Sequence, residues 1–442
     1  MPDEIVYILE KLQKHGYKSY VVGGSVRDYM LFKEPHDFDI ATSARPEEIE
    51  ELFKEHSLSD IGKKYGTIVI RVGIYDVEIT TFRLESDYEK NRKPKSVIFT
   101  DKLEEDLKRR DFTINAMAMN SKGEIIDLFN GKDDLNKKII RTVGSAKCRI
   151  EEDALRILRA IRFAGSFDFK IEEELYSEII KNRNLIKNLS PERIKSEIDK
   201  MLLLDIPSKS FKIMADTKVL EIVFPELYKT VDYDQMTPYH EKTLFDHILC
   251  VVDNVPKKLS IRYAALFHDI EKPKTLSIDS YGIGHFYGHD DLGAIRAEDI
   301  LKEYNSSNEL INSVKSLVKE HMKAPEDTMT DKALRRLIKR VGKDNVLDLL
   351  DLMIADRICT TNGRDFEFLI KRQNRIKELL NEDVIIKEKF LKIDGNDLIK
   401  LGFNEGKLIG EILSYLEEIV LDDPSLNEKE ILLNVVLEKY RS

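Results

Sequence analysis

Apolar positions recur at helical spacing from the start of the chain: Ile5, Ile8, Leu9 and Leu12 predict a short amphipathic helix over 3–15. The pattern then changes. Tyr20, Val21 and Val22 form an aromatic and β-branched run that reads as a strand. It stops at Gly23 and Gly24, and Ser25 to Leu31 read as the start of a helix. Arg45 to Phe53 predict another helix with Pro46 in its first turn. Tyr65–Val72 and Tyr75–Arg83 read as a hairpin of two strands. From about Arg149 the spacing is helical throughout, as at Ile194, Ile198, Met201 and Leu202, then Phe211, Met214 and Leu220. The expectation is an α+β chain with a mixed α/β head followed by all-α segments.

At 442 residues the chain exceeds what one core holds, so several domains are expected. No apolar run is long enough to span a membrane, and the N-terminus lacks a basic-then-apolar leader. Cys148, Cys250 and Cys359 have no close pairing. They predict a reducing, cytoplasmic setting with neither a disulfide framework nor a cysteine zinc site. A net charge of −10 argues against a broad nucleic-acid-coating surface. It leaves room for a local basic track, and basic residues cluster at Lys108–Arg110 and from Lys137 to Arg149. The sequence carries no signal of oligomeric state.

The densest chemistry lies at 19–42. A strand, a glycine pair and a helix N-terminus offer backbone N–H groups to a phosphate, and a Cβ at Gly23 or Gly24 would hold the phosphate off. Asp37 and Asp39 follow, two residues apart. On a strand they would share one face, and two adjacent like charges call for a cation between them. The reading is a divalent-metal site beside a phosphate cradle. Glu78 is either a third acid of that site or a solvated strand residue.

Gly23-Gly24-x-x-Arg27-Asp28, followed by Asp37-x-Asp39-Ile40-x-Thr42, resembles the head of the class II nucleotidyltransferases. That family comprises the CCA-adding tRNA nucleotidyltransferases and the bacterial poly(A) polymerases. The resemblance implies Mg2+ on Asp37 and Asp39 as the catalytic pair, with Gly23, Gly24 and Arg27 on the triphosphate. It extends over 103–118, where it assigns Arg110 to the incoming nucleotide, with Asp111 and Asn115 as secondary candidates. The polar stretch 85–100 resembles the flexible head loop of CCA-adding enzymes. Glu152-Asp153-x-x-Arg156 resembles the family's nucleotide-selecting motif, with Arg159 and Arg162 following at three-residue steps to neutralise triphosphate charge. Two residue types suffice for that selection. Cytosine and adenine both present an amino donor beside a ring-nitrogen acceptor, whereas guanine and uracil present a carbonyl beside an N–H. A carboxylate and a guanidinium accept the first pattern, and the second leaves polar groups unpaired at about 1–3 kcal/mol each.

A second set of residues follows Tyr233: His240, His247, His268-Asp269, His285, His289, His321 and Asp356. Adjacent His and Asp inside an apolar helix need partners. The order resembles the HD phosphohydrolases, which implies a second divalent metal on His247, His268, Asp269 and Asp356. His289 and His321 would then support another ion or a phosphate. Glu271 departs from the glycine common at that position, and it would either join the site or crowd it. The glycine-punctuated tail from Leu391 resembles the unit ending many CCA-adding enzymes.

The resulting expectation is a nucleotidyltransferase head over 1–140, a helical neck and body over 141–230 and an HD domain over 236–365. A tRNA-binding tail follows over 366–442. The implied activity is template-free addition of C, C and A from CTP and ATP to a tRNA 3′ end. Gly62–Ile70 resembles CCA-adding sequences more than polymerase ones. The rivals are a poly(A) polymerase or A-adding enzyme, and an HD phosphohydrolase with an RNA-binding head.

Overall fold

The computed structural model describes residues 1–35, 37–59, 62–85, 88–89, 93–94, 97–236, 242–323, 330–360, 365–381 and 391–440. His240 and parts of the expected mobile stretch 85–100 lie outside them. The chain divides into two compact units, Met1–Tyr228 and Lys229–Ser442.

In the first unit a seven-stranded sheet is built from β1 (Ser19–Val22), β2 (Asp39–Thr42), β3 (Ser57–Ser59), β4 (Thr67–Val72), β5 (Tyr75–Thr81), β6 (Met117–Met119) and β7 (Ile125–Asp127). Its order is β7-β6-β1-β2-β5-β4-β3, antiparallel throughout except for the parallel pair β2–β5. Alternation along each strand divides the sheet into two faces. Val21, Ile40, Ile68, Ile70, Val77, Ile79, Met117 and Met119 pack beneath the helix Asp3–Lys14, whose Ile5, Ile8, Leu9 and Leu12 are fully buried. The opposite face has a smaller apolar cluster of Val22, Ala41, Phe82, Leu107 and Ala118. Asp39 alternates with Ile40, and Glu78 lies between Val77 and Ile79, so both acids belong to this second face. The β2–β5 register pairs them directly.

Two sequence expectations need correction. Asp37 lies before β2 rather than on it, because pairing with β1 starts at Asp39. The predicted continuous helix through 152–164 is broken: one helix ends at Glu152, Asp153 is extended (φ −148°, ψ 102°), and the next helix runs Leu155–Phe167. That second helix packs against the helices Pro191–Leu202 and Ser208–Asp216.

Among its described residues the second unit's regular elements are helices and one hairpin, Leu276–Ile278 with Gly284–Phe286, that the all-α expectation missed. Its C-terminal part has its own core of Leu391, Ile393, Leu398, Ile412, Leu416, Val420, Leu432 and Val436. The expectation of no disulfide is also overturned: Cys250, on the helix Leu244–Asn254, is bonded to Cys359, the residue just past the helix Val346–Ile358, and the packing of the two helices brings together residues 109 apart in sequence. Cys148 stays free and exposed.

The contact between Leu155–Phe167 and Ser208–Asp216 depends on Gly165. A Cβ there would lie 2.1 Å from Ser210 Oγ and 2.9 Å from the Ser210 backbone nitrogen. Gly165→Ala is expected to cost about 1–3 kcal/mol by overpacking, read as a lower urea midpoint. Adding Ser210→Ala recovers only part of it, since the backbone clash remains.

Candidate active site

On the small-cluster face, β1 is followed by Gly23 with φ +76°, a conformation that suits glycine. A Cβ at Gly23 would come 3.0 Å from Arg110 Nη1 and 3.5 Å from Asp39 Oδ2. The turn thus brings backbone, acid and arginine close together. Two adjoining clefts share Asp39, Arg110, Asp111 and Arg159. One, of about 570 Å³, is lined by Gly23, Gly24, Arg27, Asp37, Asn115, Arg162 and Phe163. The other, of about 410 Å³, is lined by Glu78, Arg109, Asp153 and Arg156.

A hydrogen-bonded relay joins the glycine turn to the broken helix. Arg159 Nε and Nη2 donate to Asp111 Oδ2 at 2.8 and 2.5 Å. The other carboxylate oxygen, Oδ1, accepts from Asn115 Nδ2 at 3.1 Å and from the Phe112 amide at 2.8 Å. Asn115 Oδ1 then accepts from Arg27 Nη1 at 2.7 Å. Asp111 and Asn115, secondary candidates in the sequence, are its middle links. Burial alone would raise the Asp111 carboxyl. The Arg159 charge and the hydrogen bonds from Arg159, Asn115 and the Phe112 amide outweigh it, holding the group below its ordinary value.

The remaining arginines are fixed by acids the sequence reading left out. Buried Asp106 anchors Arg109 at 2.8 Å and Arg110 at 3.3 Å. Buried Glu197 accepts from Arg162 Nε at 2.6 Å. Asp153 and Arg156 do not pair with each other. Asp153 caps Leu155 N at 3.1 Å through Oδ1 and meets Arg193 Nη2 at 2.8 Å through Oδ2. Arg156, buried, reaches Glu152 at 2.6 Å and the carbonyls of Arg149 and Arg109 at 2.8 and 3.3 Å. Nothing in the spacing of Arg193 or Glu197 pointed to these roles, because both lie on a helix whose other face is ordinary core.

Asp39 is exposed at the first position of its strand, yet the cleft walls thin the water around it. Loss of solvent raises its carboxyl; Arg110 opposes the rise and Asp37 adds to it. Glu78 is raised by loss of solvent, then by Asp39 and Asp37. Mutual repulsion of this kind is what a bound dication relieves.

In the second unit two groups draw ligand atoms within 4.8 Å of one another: His247, His268, Asp269 and Asp356, and Asp269 with His289 and His321. Asp37, Asp39 and Glu78 do not form such a group among the described residues. Three rings in the second unit share one arrangement. Nδ1 of His268, His289 and His321 lies 2.8, 2.5 and 2.6 Å from the carbonyl three residues earlier. A carbonyl only accepts, so each Nδ1 carries a proton and each ring turns its Nε2 inward. Those Nε2 atoms of His268, His289 and His321 face the Asp269 carboxylate at 3.2, 3.3 and 3.8 Å. His247 Nε2 lies 3.0 Å from Asp356, and Lys272 Nζ lies 2.7 Å from Asp269. Glu271 belongs to neither group; it pairs with Lys274 at 2.8 Å and Arg296 at 3.3 Å. His285 is likewise elsewhere, 2.9 Å from Asp279.

A family model described as "Poly A polymerase head domain" matches residues 19–141, one described as "Probable RNA and SrmB- binding site of polymerase A" matches 168–230, and one for tRNA nucleotidyltransferase domain 2 matches 291–436. The chain is 35% identical over 441 residues to the CCA-adding enzyme of Ligilactobacillus salivarius, covering 98% of this chain and 96% of that protein. The chain belongs to the CCA-adding enzyme family. A crystal structure of the Bacillus stearothermophilus CCA-adding enzyme in complex with CTP is similar at a TM-score of 0.74 and 26% identity, over 99% of this chain and 97% of that one. A Thermotoga maritima CCA-adding enzyme complexed with tRNA is similar at a TM-score of 0.57 and 26% identity, over 99% and 95% of the two chains. Within the family's head, Gly23, Gly24, Arg27, Asp37, Asp39 and Arg110 all lie in the 19–141 match, while Asp153 and Arg156 follow it.

The relay yields a pH prediction. The folded Asp111 carboxyl lies below its unfolded value, so its stabilisation is present above the ordinary value of about 3.9 and is lost as pH falls through the depressed one. Asp111→Ala is expected to cost about 2 kcal/mol near neutrality, less than a fully buried pair because Arg159 still reaches solvent. Urea unfolding should show the gap from the parent narrowing below about pH 3.9.

Proposed function

We propose that this chain adds C, C and A, from CTP and ATP, to the 3′ end of tRNA without a nucleic-acid template. The observation that carries the reading is that the glycine turn, the acid pair and the Asp153/Arg156 pair line adjoining clefts that share Asp39 and Arg110. Gly23, Gly24 and Arg27 receive the triphosphate, and Arg110, Arg159 and Arg162 share its charge. Asp153 accepts from the base's amino group and Arg156 donates to its ring nitrogen. Arg193 and the Leu155 amide fix the Asp153 carboxylate in place while its remaining lone pairs stay open to a base.

Asp37 and Asp39 would hold Mg2+, with Glu78 as the adjoining acid. Hard carboxylate oxygens suit that ion, and the carboxyls of Asp39 and Glu78, raised first by loss of solvent and further by their acidic neighbours, are ones a cation would restore to the charged form. When bound, it supplies activation of the tRNA 3′ oxygen and stabilisation of the departing pyrophosphate. The second unit is read as an HD-type phosphohydrolase centre, favoured by the inward Nε2 atoms of three histidines. It would take a divalent ion on His247, His268, Asp269 and Asp356 and act on 2′,3′-cyclic or 3′ phosphates. The functional segments are 1–140, 141–230, 236–365 and 366–442, the last gripping tRNA. The cytoplasm, where tRNA is processed, is the compartment this reading implies.

The test is incubation of tRNA lacking CCA with CTP, ATP or both, followed by end sequencing. Addition of CC with CTP alone and CCA with both is expected; a long A tail would instead favour a poly(A) polymerase. Asp37→Ala and Asp39→Ala are each expected to abolish incorporation with tRNA binding nearly intact, and normal incorporation by both refutes the metal assignment. His268→Ala is expected to lose divalent-metal binding measured calorimetrically while CCA addition continues. Unchanged metal binding removes the HD reading alone.

A further inference from the structure

Three of the four arginines assigned to the triphosphate lie together, each with an acid partner: Arg27 has Asp28, Arg159 has Asp111 and, at 3.9 Å, Glu197, and Arg162 has Glu197. One neutral group touches all three. The Phe163 ring centroid lies 4.1 Å from the Arg162 guanidinium carbon, 5.3 Å from that of Arg27 and 5.4 Å from that of Arg159. All are within the range of a cation–π attraction. Phe163 is 6% exposed and lines the larger cleft. Its own position is set by Phe112, edge-on at 5.7 Å, and by Phe167, stacked at 6.0 Å. Phe167 extends the platform, with Arg27 at 4.7 Å and Lys33 at 5.3 Å.

Gathering cations before a ligand arrives is costly, and the Arg162 charge does depress the Arg27 pKa, after the larger effect of burial. Acids alone would answer the repulsion by cancelling the charge a triphosphate needs and occupying N–H donors. An aromatic face attracts a guanidinium without accepting any of its five N–H bonds.

We propose that Phe163 is the positioning residue of the triphosphate site, its ring holding Arg27, Arg159 and Arg162 in one cluster while leaving their charge and donors to the phosphates. The proposal rests on the reading that these arginines bind triphosphate. It concerns the triphosphate common to every nucleotide, so it separates from base choice at Asp153 and Arg156.

Fluorination withdraws charge from the ring face with little change in shape, and therefore separates cation attraction from packing. In the full chain, phenylalanines of increasing fluorine content are placed at 163 by codon suppression. KM is then measured for CTP on tRNA lacking CCA and for ATP on tRNA ending in CC. The expected result is a stepwise rise in both KM values, reaching about tenfold at full fluorination. The CTP-over-UTP preference should hold and the melting temperature should stay near the parent's. Phe163→Tyr should keep the parent KM, and Phe163→Leu should raise it. A KM that stays flat across the fluorinated series overturns the proposal and leaves Phe163 a packing residue. Arg27→Ala and Arg162→Ala are run alongside. If both leave KM unchanged, the triphosphate reading itself fails and the proposal with it; if they raise KM while fluorination does not, only the role of Phe163 falls.

Discussion

The site depends on one carboxylate. Asp111 accepts from Arg159 on one side and from Asn115 on the other, and Asn115 in turn accepts from Arg27. Remove that link and the glycine turn on the sheet loses its hydrogen-bonded connection to the helix carrying Arg156, Arg159 and Arg162. Those two parts do different work. In the proposed reading one receives phosphates and the other reads a base edge, and a template-free enzyme needs both at a fixed separation. A half-buried carboxylate held by several donors suits this purpose, since moving any partner leaves charge uncompensated in a poorly solvated place.

The same economy governs the sheet. Strand alternation sends Ile40, Val77 and Ile79 into the larger core and leaves Asp39 and Glu78 on the face with the smaller apolar cluster. Packing one face therefore places the acids on the other, near Arg110. The acids repel one another, the arginines crowd together, and each tendency is balanced by groups that leave room for a ligand of the opposite charge. Such a surface is prepared for a metal-bound polyanion before one arrives.

How much of this was legible follows from distance along the chain. The strand, glycine pair and acids lie within 24 residues, so local pattern was enough to read them. Asp153 was found by motif, but its extended backbone was not, because apolar spacing runs on through the break. The relay spans 88 residues from Arg27 to Asn115 and 48 from Asp111 to Arg159, and no periodicity connects them. Phe163 reads as a core aromatic, and only its neighbours in space show three guanidiniums around it. The Cys250–Cys359 link was misjudged for the same reason: 109 residues separate the pair. In the second unit the histidines were visible as a set. Their inward Nε2 atoms depend on carbonyls three residues back, which is a fact of helix ends and turns rather than of composition.

A crystal structure of the chain with CTP tests the central claim most directly, namely that the relay is built before the nucleotide binds. The phosphates are expected against Gly23, Gly24 and Arg27, with the cytosine edge at Asp153 and Arg156 and the Arg159–Asp111–Asn115–Arg27 bonds intact. CTP bound away from these residues, or bound with the relay broken, contradicts it.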